Sequence, residues 1–432
     1  MIAPVLAIIS AAAATRNVVV VGSTGGGFAA ALAAARGGAS VHLLETAGNG
    51  GGTGTHIGGM VTGGLSHTDC GNASVIGGIA REYFTRVELE YPNRSTDPGL
   101  QPNSGPPCWL FEPHVAERVM WAMLHEANVS VVTGLGGVAR ADVGAGGRME
   151  RVAFLSGDVF SGDVFIDGTY EGDLLAAGNA TMTAGRESAA QYGEAGAGRR
   201  PISDYDQISR VDPYWGNSSE VLPLIYRGYP GLPGDADTKL EAYAYRLCMT
   251  RSPTHRVAIT MPPHYNASTW ELFRRVFSLR PPQSLGEAGL YCLGPLPNNY
   301  TDCPEASAAP GGLCKCDMIS SGGLGTDFAQ GSWGGDEGLG AYWPTTSVAA
   351  RRALAMAHAA YTWGLLWFLL TDAAVPSKVA AELGATDSAE MSGSTRSRPF
   401  SRISCTSGRR AGLWATLCSR RMIPRPTFSI AL

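Results

Sequence analysis

Residues 17–45 run from an apolar strand through a glycine cluster, an alanine-rich helix and a second strand to an acid, and that order admits few folds. The run Asn17–Val21 is β-branched without alternation, the pattern of a parallel strand covered on both faces. Glycines follow at once, Phe28–Arg36 favours helix, Gly37 and Gly38 stop it, and Ser40–Leu44 reads as a second strand ending at Glu45. In such a unit Gly22 permits the tight turn and Gly27 permits close helix–strand packing. The helix N-terminus then aims free N–H groups and its positive dipole end at a pyrophosphate. Glu45 stands where a carboxylate accepts a hydrogen bond from a ribose 2′-hydroxyl, and an acid there disfavours a ribose that carries a phosphate. Thr24 takes the second glycine position of G-x-G-x-x-G, and its branched side chain restricts backbone approach. These parts in order read as a Rossmann-like dinucleotide-binding unit in an α/β protein.

The 432 residues exceed what one core usually supports, and 44% hydrophobic residues can fill two lobes. The 57 glycines fall in short clusters without a Gly-X-Y period, which excludes collagen and favours tight turns. Residues 392–432 carry eight arginines and no acid, so the net charge of -4 hides an acidic body and a basic end. No nucleic-acid module is visible, and nucleic acid is not an expected partner. Residues 2–14 have the size of a signal-peptide core and are too short for a membrane span; the other reading is an apolar lead into the first strand. Of 11 asparagines, seven open Asn-X-Ser/Thr: Asn72, Asn93, Asn128, Asn179, Asn217, Asn266 and Asn299. That excess favours a glycosylated protein of the secretory route or extracellular space, with Asn179 expected to be too buried for modification. Cys292, Cys303, Cys314 and Cys316 crowd into 25 residues and read as a disulfide-stapled loop or as free thiols. Cys314-Lys-Cys316 lacks zinc or iron–sulfur spacing, and no metal site is expected.

Two further segments separate the dinucleotides. Residues 58–69 (GGMVTGGLSHTD) hold Gly pairs against which a flat ring can lie, and residues 164–173 (VFIDGTYEGD) give a short buried strand, an Asp-Gly-Thr end and an acidic turn. With WLFEPHVAERVM, QYGE, VDPYW and AYAYRLCMT, these segments resemble the FAD-dependent oxidoreductase family, distantly related to the flavin domains of heterodisulfide reductase and of fumarate reductase-type flavoproteins. The resemblance is dense over residues 17–260 and weaker through GGLGTDFAQGSWG and residues 347–384. It implies FAD as cofactor, in a Rossmann-like FAD/NAD(P)-binding domain beside a mixed α+β substrate-side region. It further implies that Gly22, Thr24 and Gly27 hold the pyrophosphate and Glu45 the adenosine ribose. Gly58, Gly59 and Met60 would lie along pyrophosphate and flavin, Asp167, Gly168 and Thr169 near the adenosine half, and Val138 against adenine through its backbone. The loop GNGGGTGTH makes the spacing from Glu45 to Gly58 longer than usual.

A flavin transfers hydride or electrons itself, so the protein has to position substrate and move protons. His67 and Asp69 follow the flavin-side Gly pairs and read as an acid–base pair or as a hydrogen-bonded turn. Tyr170, Glu171 and Asp173 read as site groups or helix caps, with Glu171 favoured as catalytic. Arg186 and Glu187 read as an ion pair with each other, the alternative being an anion anchor. The helix HVAERVMWAMLHEA carries a Met and Trp stripe that reads as core, and His56 and His125 read as isolated.

The organisation expected is a signal peptide at 1–16, an FAD-binding domain at 17–200, a substrate-side region with the cysteine loop at 201–345, a helical segment at 346–390 and an Arg/Ser-rich tail at 391–432. TKLEAYAYRLCMT and WELFRRVFSL read as amphipathic helices. The family's closing segment over the flavin has no counterpart after about residue 385, which reads as a truncated or frame-shifted tail, the alternative being an authentic disordered one. The function expected is oxidation or reduction of a small-molecule or carbohydrate substrate. The competing readings are an NAD-linked dehydrogenase and a flavin-free scaffold glycoprotein. Substrate, electron acceptor and oligomeric state are beyond the sequence.

Overall fold

The computed structural model describes residues 15–46, 56–63, 73–90, 111, 113–199, 211–223, 225, 231–238, 246–247, 249–250, 256–288, 291–292, 316–317, 346–384 and 387–389. Strand β1 (Asn17–Val21) is followed by helix α1 (Gly25–Arg36) and strand β2 (Ser40–Leu44). Then come helices α2 (Gly78–Leu89) and α3 (Pro113–Glu126), strand β3 (Ser130–Val132), a meander of β4 (Val138–Val143), β5 (Met149–Phe154) and β6 (Val159–Ser161), and strand β7 (Val164–Asp167).

Strands β3-β2-β1-β7 form one sheet in that order, and every pairing is parallel: Asn17 lies opposite Ser40, His42 opposite Ser130 and Val18 opposite Val164. The chain steps outward from β1 to β2 and β3, then returns to the other side of β1 as β7. Such a reversal opens a crevice at the carboxyl ends of β1 and β7.

The uninterrupted valines of β1 are explained by what covers them. Val18 and Val20 enter a core with Phe28, Leu32, Met120 and Leu124 from α1 and α3, while Val19 and Val21 enter a second core with Val152 and Phe154 of the meander. Both faces are apolar because both are covered, so the strand has no polar side to alternate with. Strand β7 differs from its expected burial: it ends the row of four, and all its residues are half-buried.

A third core belongs to the second half. Helix α4 (Asp173–Ala177) and helix α5 (Ala189–Tyr192) are short, and α6 (Glu271–Leu279) packs with α7 (Val348–Thr371) and α8 (Ser377–Gly384). Trp270 lies 5.6 Å from Phe273 and 5.6 Å from Phe368 between ring centroids, and Arg274 bonds Asp372 at 2.7 Å beyond the end of α7. Among the described residues α7 is the one helix long and apolar enough to cross a bilayer. Its most apolar stretch is 61% buried inside the protein, the packing of a core helix.

Four local expectations are corrected. The first helix begins at Gly25, not Phe28, because Thr24 caps it. Within TKLEAYAYRLCMT, Arg246–Leu247 and Met249–Thr250 are strand, pairing with Cys316–Asp317 and with residues 387–388, so long-range pairing overrides the helical period. Met120 and Met123 are core, but Trp121 on the same helix is exposed. Asn179 is exposed, with φ 58° in the left-handed region just past α4, a position that asparagine tolerates.

Phe368 joins α6 to α7, so Phe368→Ala should cost about 3–5 kcal/mol of unfolding free energy in urea melts followed by tryptophan fluorescence. A loss below about 1 kcal/mol would mean that this core does not hold the second half together.

Candidate cofactor site

The crevice is built from backbone pressed on backbone. Gly22, at φ 91°, turns the chain out of β1; a Cβ there would lie 2.6 Å from the Thr169 amide nitrogen. A Cβ on Gly27 would overlap the Gly22 carbonyl oxygen, and one on Gly168 would lie 2.7 Å from that oxygen and 2.7 Å from the Gly27 Cα. The three glycines therefore let β1, α1 and the end of β7 approach more closely than any side chain permits.

Thr24, the departure from the glycine fingerprint, has a role of its own. With φ −57° it needs no left-handed backbone. Its Oγ1 accepts from Gly27 N as the helix cap and donates to the Gly168 carbonyl at 2.6 Å, pinning the turn to β7. Above it Gly26 is exposed and Gly25 half-buried. Among the described residues, no hydrogen bond is recorded from either N–H, as expected in a first helical turn. An open N-terminus of this kind fits a pyrophosphate.

Glu45 is 8% exposed, and its Oε2 accepts from Ser23 N at 3.0 Å and from the Ser23 hydroxyl. The carboxylate thus holds the glycine turn itself. Ser23 in turn accepts the Gly58 N–H through its carbonyl at 2.7 Å, bringing the Gly58–Met60 segment beside Thr24. Nothing in the sequence marks Ser23 for this part.

Tyr170 supports that second segment: its hydroxyl accepts from Met60 N at 2.8 Å, and a Cβ on Gly59 would lie 2.5 Å from the same hydroxyl. Burial raises the Tyr170 pKa above the ordinary tyrosine value, so the phenol is neutral at physiological pH. Asp167 is committed to its own turn, its Oδ1 accepting from Thr169 N at 2.8 Å and from Thr169 Oγ1 at 2.6 Å, and its Oδ2 from Leu175 N at 2.9 Å. Val138 opens β4, half-buried opposite Phe154.

The candidate catalytic residues divide. His67 and Asp69 lie outside the described residues. Glu171 is within them, its side chain 1% exposed beside Arg351 at 3.8 Å, so proton transfer from it to a substrate would need a neighbour as relay. Arg351, on α7, also pairs with Asp173 at 2.5 Å and 3.1 Å; with a sequence separation of 178 residues, no local signal could have found it.

His56 is not isolated: its Nδ1 lies 2.9 Å from each oxygen of Glu117. Arg186 forms its ion pair with the buried Asp237, shared with Arg199, rather than with the adjacent Glu187.

Several comparisons bear on this frame. A family model described as FAD dependent oxidoreductase matches residues 17–401. No curated protein matches the chain. Solved structures that do include the fructosamine oxidase Amadoriase II of Aspergillus fumigatus, at 13% identity over 37% of this chain and 50% of that one, TM-score 0.26. Tryptophan 6-halogenase SttH of Streptomyces toxytricini matches at 14% identity over 39% and 47%, TM-score 0.25. THI4 of Thermovibrio ammonificans matches at 17% identity over 36% and 56%, TM-score 0.23. The chain thus spans about half the length of these structures.

Two alanine substitutions separate the packed glycines from the open one. Gly27→Ala forces a methyl into the Gly22 carbonyl and should destabilise by about 1–3 kcal/mol or prevent folding. Gly26→Ala, whose Cβ would meet only Thr24 Oγ1 at 3.7 Å, should leave thermal unfolding unchanged. Equal melting temperatures for both variants would mean that this close approach is not formed.

Proposed function

The chain belongs to the FAD dependent oxidoreductase family, with FAD as its cofactor, and from that premise we propose how its own residues hold the group and which substrates it serves. The observation that carries the reading is the mutual packing of Gly22, Gly27 and Gly168 below the uncapped amides of Gly25 and Gly26. Gly22, Thr24 and Gly27 receive the pyrophosphate, where the helix dipole and two N–H groups favour anionic oxygens. A carboxylate has about four lone-pair sites, so Glu45 can hold Ser23 and still accept from a ribose hydroxyl. Gly58, Gly59 and Met60 lie along the pyrophosphate and flavin, Asp167, Gly168 and Thr169 shape the adjoining wall, and Val138 serves the adenine side. The domain limits at 17–200, 201–345 and 346–390 belong to this proposal.

When bound, FAD supplies hydride or electron transfer to a substrate next to its ring. The chain's residues supply the rest: His67 and Asp69 handle the proton at the substrate, and Glu171 is the buried acid of the wall behind it. The substrate class is a small molecule, with carbohydrate favoured by the compartment. A secretory or extracellular location is supported by the exposure of Asn128, Asn179, Asn217 and Asn266, the four described sequon asparagines.

The visible absorbance spectrum of the purified chain tests the cofactor site. Flavin bands in stoichiometric amount, lost or sharply weakened in Glu45→Ala, are the expected result. A folded chain that stays colourless after addition of FAD contradicts the reading. For the location, treatment of the secreted chain with an N-glycan-removing amidase should lower its mass and convert sequon asparagines to aspartate. An unchanged mass would refute glycosylation.

A further inference from the structure

We propose that Arg351 is a positioning residue for the FAD site: from helix α7 it holds the Glu171–Asp173 turn, and through Tyr170 the Gly58–Met60 segment, in the shape that receives the cofactor. The inference rests on the FAD-site reading above and extends it to a residue of the C-terminal half.

Segment 167–173 is tied down at points of different origin. Thr24 fixes Gly168 to the glycine turn, Asp167 closes the Thr169 turn, and Tyr170 accepts the Met60 N–H. At the far end Asp173 N donates to Thr169 Oγ1 at 2.9 Å, so a movement of Asp173 is passed back to Thr169 and Asp167. The side chain of Asp173 is in turn held bidentate by Arg351, a geometry open to a guanidinium and not to an ammonium.

The charge arrangement makes that contact consequential. Glu171 and Asp173 have side chains 1% and 13% exposed, and the Arg351 side chain set between them is 12% exposed. Taking away the cation removes a positive charge that lies within 4 Å of two poorly hydrated carboxylates, an unfavourable change that movement of the turn relieves. Arg351 is itself aimed from the other side: its Nε donates to the Thr346 carbonyl at 3.3 Å, Ser347 caps α7, and Val348 sits against Gly137. The start of α7 is thereby docked on the dinucleotide-binding unit, and its far end is rooted in the third core.

The test compares FAD affinity of the full chain with Arg351→Met, Arg351→Lys, Arg351→Asp, Asp173→Asn and the swapped pair Arg351→Asp/Asp173→Arg, by quenching of flavin fluorescence. Thermal unfolding is recorded without FAD. We expect Arg351→Met to weaken FAD at least about tenfold, Arg351→Lys to recover only part, and the swapped pair to bind better than Arg351→Asp alone. A shifted visible band for the flavin that remains bound is expected, a signature that general loss of stability does not produce. If Arg351→Met does not fold, the comparison rests on Arg351→Lys and Asp173→Asn. Folded variants that bind FAD within about twofold of the parent overturn the proposal while leaving the FAD site intact. A parent chain that binds no FAD overturns the site reading and this proposal together.

Discussion

The structure depends on a contact without side chains: the backbone of Gly22 lies against that of Gly27 and Gly168. Helix α1 can then descend onto the sheet at the place where β1 and β7 end, and its first amides are left facing outward. A methyl group at this junction would push helix and strand apart and remove the site's floor. The rest of the N-terminal unit protects this approach, with a helical core on one face of the sheet and the meander core on the other.

Polar contacts then fix what the glycines allow. Glu45 reaches back to Ser23, Ser23 takes the Gly58 amide, Thr24 reaches Gly168, and Tyr170 takes the Met60 amide. Three chain segments distant in sequence meet in this way beside one helix end. The fourth contribution comes from α7, so the second half, which has its own apolar core, also shapes the cradle.

Much of this was legible in residues 17–45, because a strand covered on both faces, a glycine turn and an acid at fixed spacing leave little freedom. The Gly22 turn and the close approach at Gly27 were readable for that reason, whereas the bond from Ser23 to Glu45 was not. Thr24 looked like a defect because the fingerprint describes glycine where this turn uses ordinary backbone angles and gains a cap. Ser23, Glu117 and Arg351 were not readable, since each acts through a partner 22 to 178 residues away. The strand pairs at 246–250 were missed for a related reason: two-residue strands exist by virtue of their partners, while the local period there is helical. Arg186 found Asp237 rather than its neighbour because consecutive side chains diverge in extended chain.

The central claim is that FAD is held on the amides of the glycine turn and on the wall that faces it. Hydrogen–deuterium exchange of the full chain, with and without FAD, tests it most directly because it reports those amides themselves. The account predicts slowed exchange at residues 22–28, 58–60, 168–170 and around Val138, with the third core unchanged. FAD bound in stoichiometric amount without protection of residues 22–28 would contradict it.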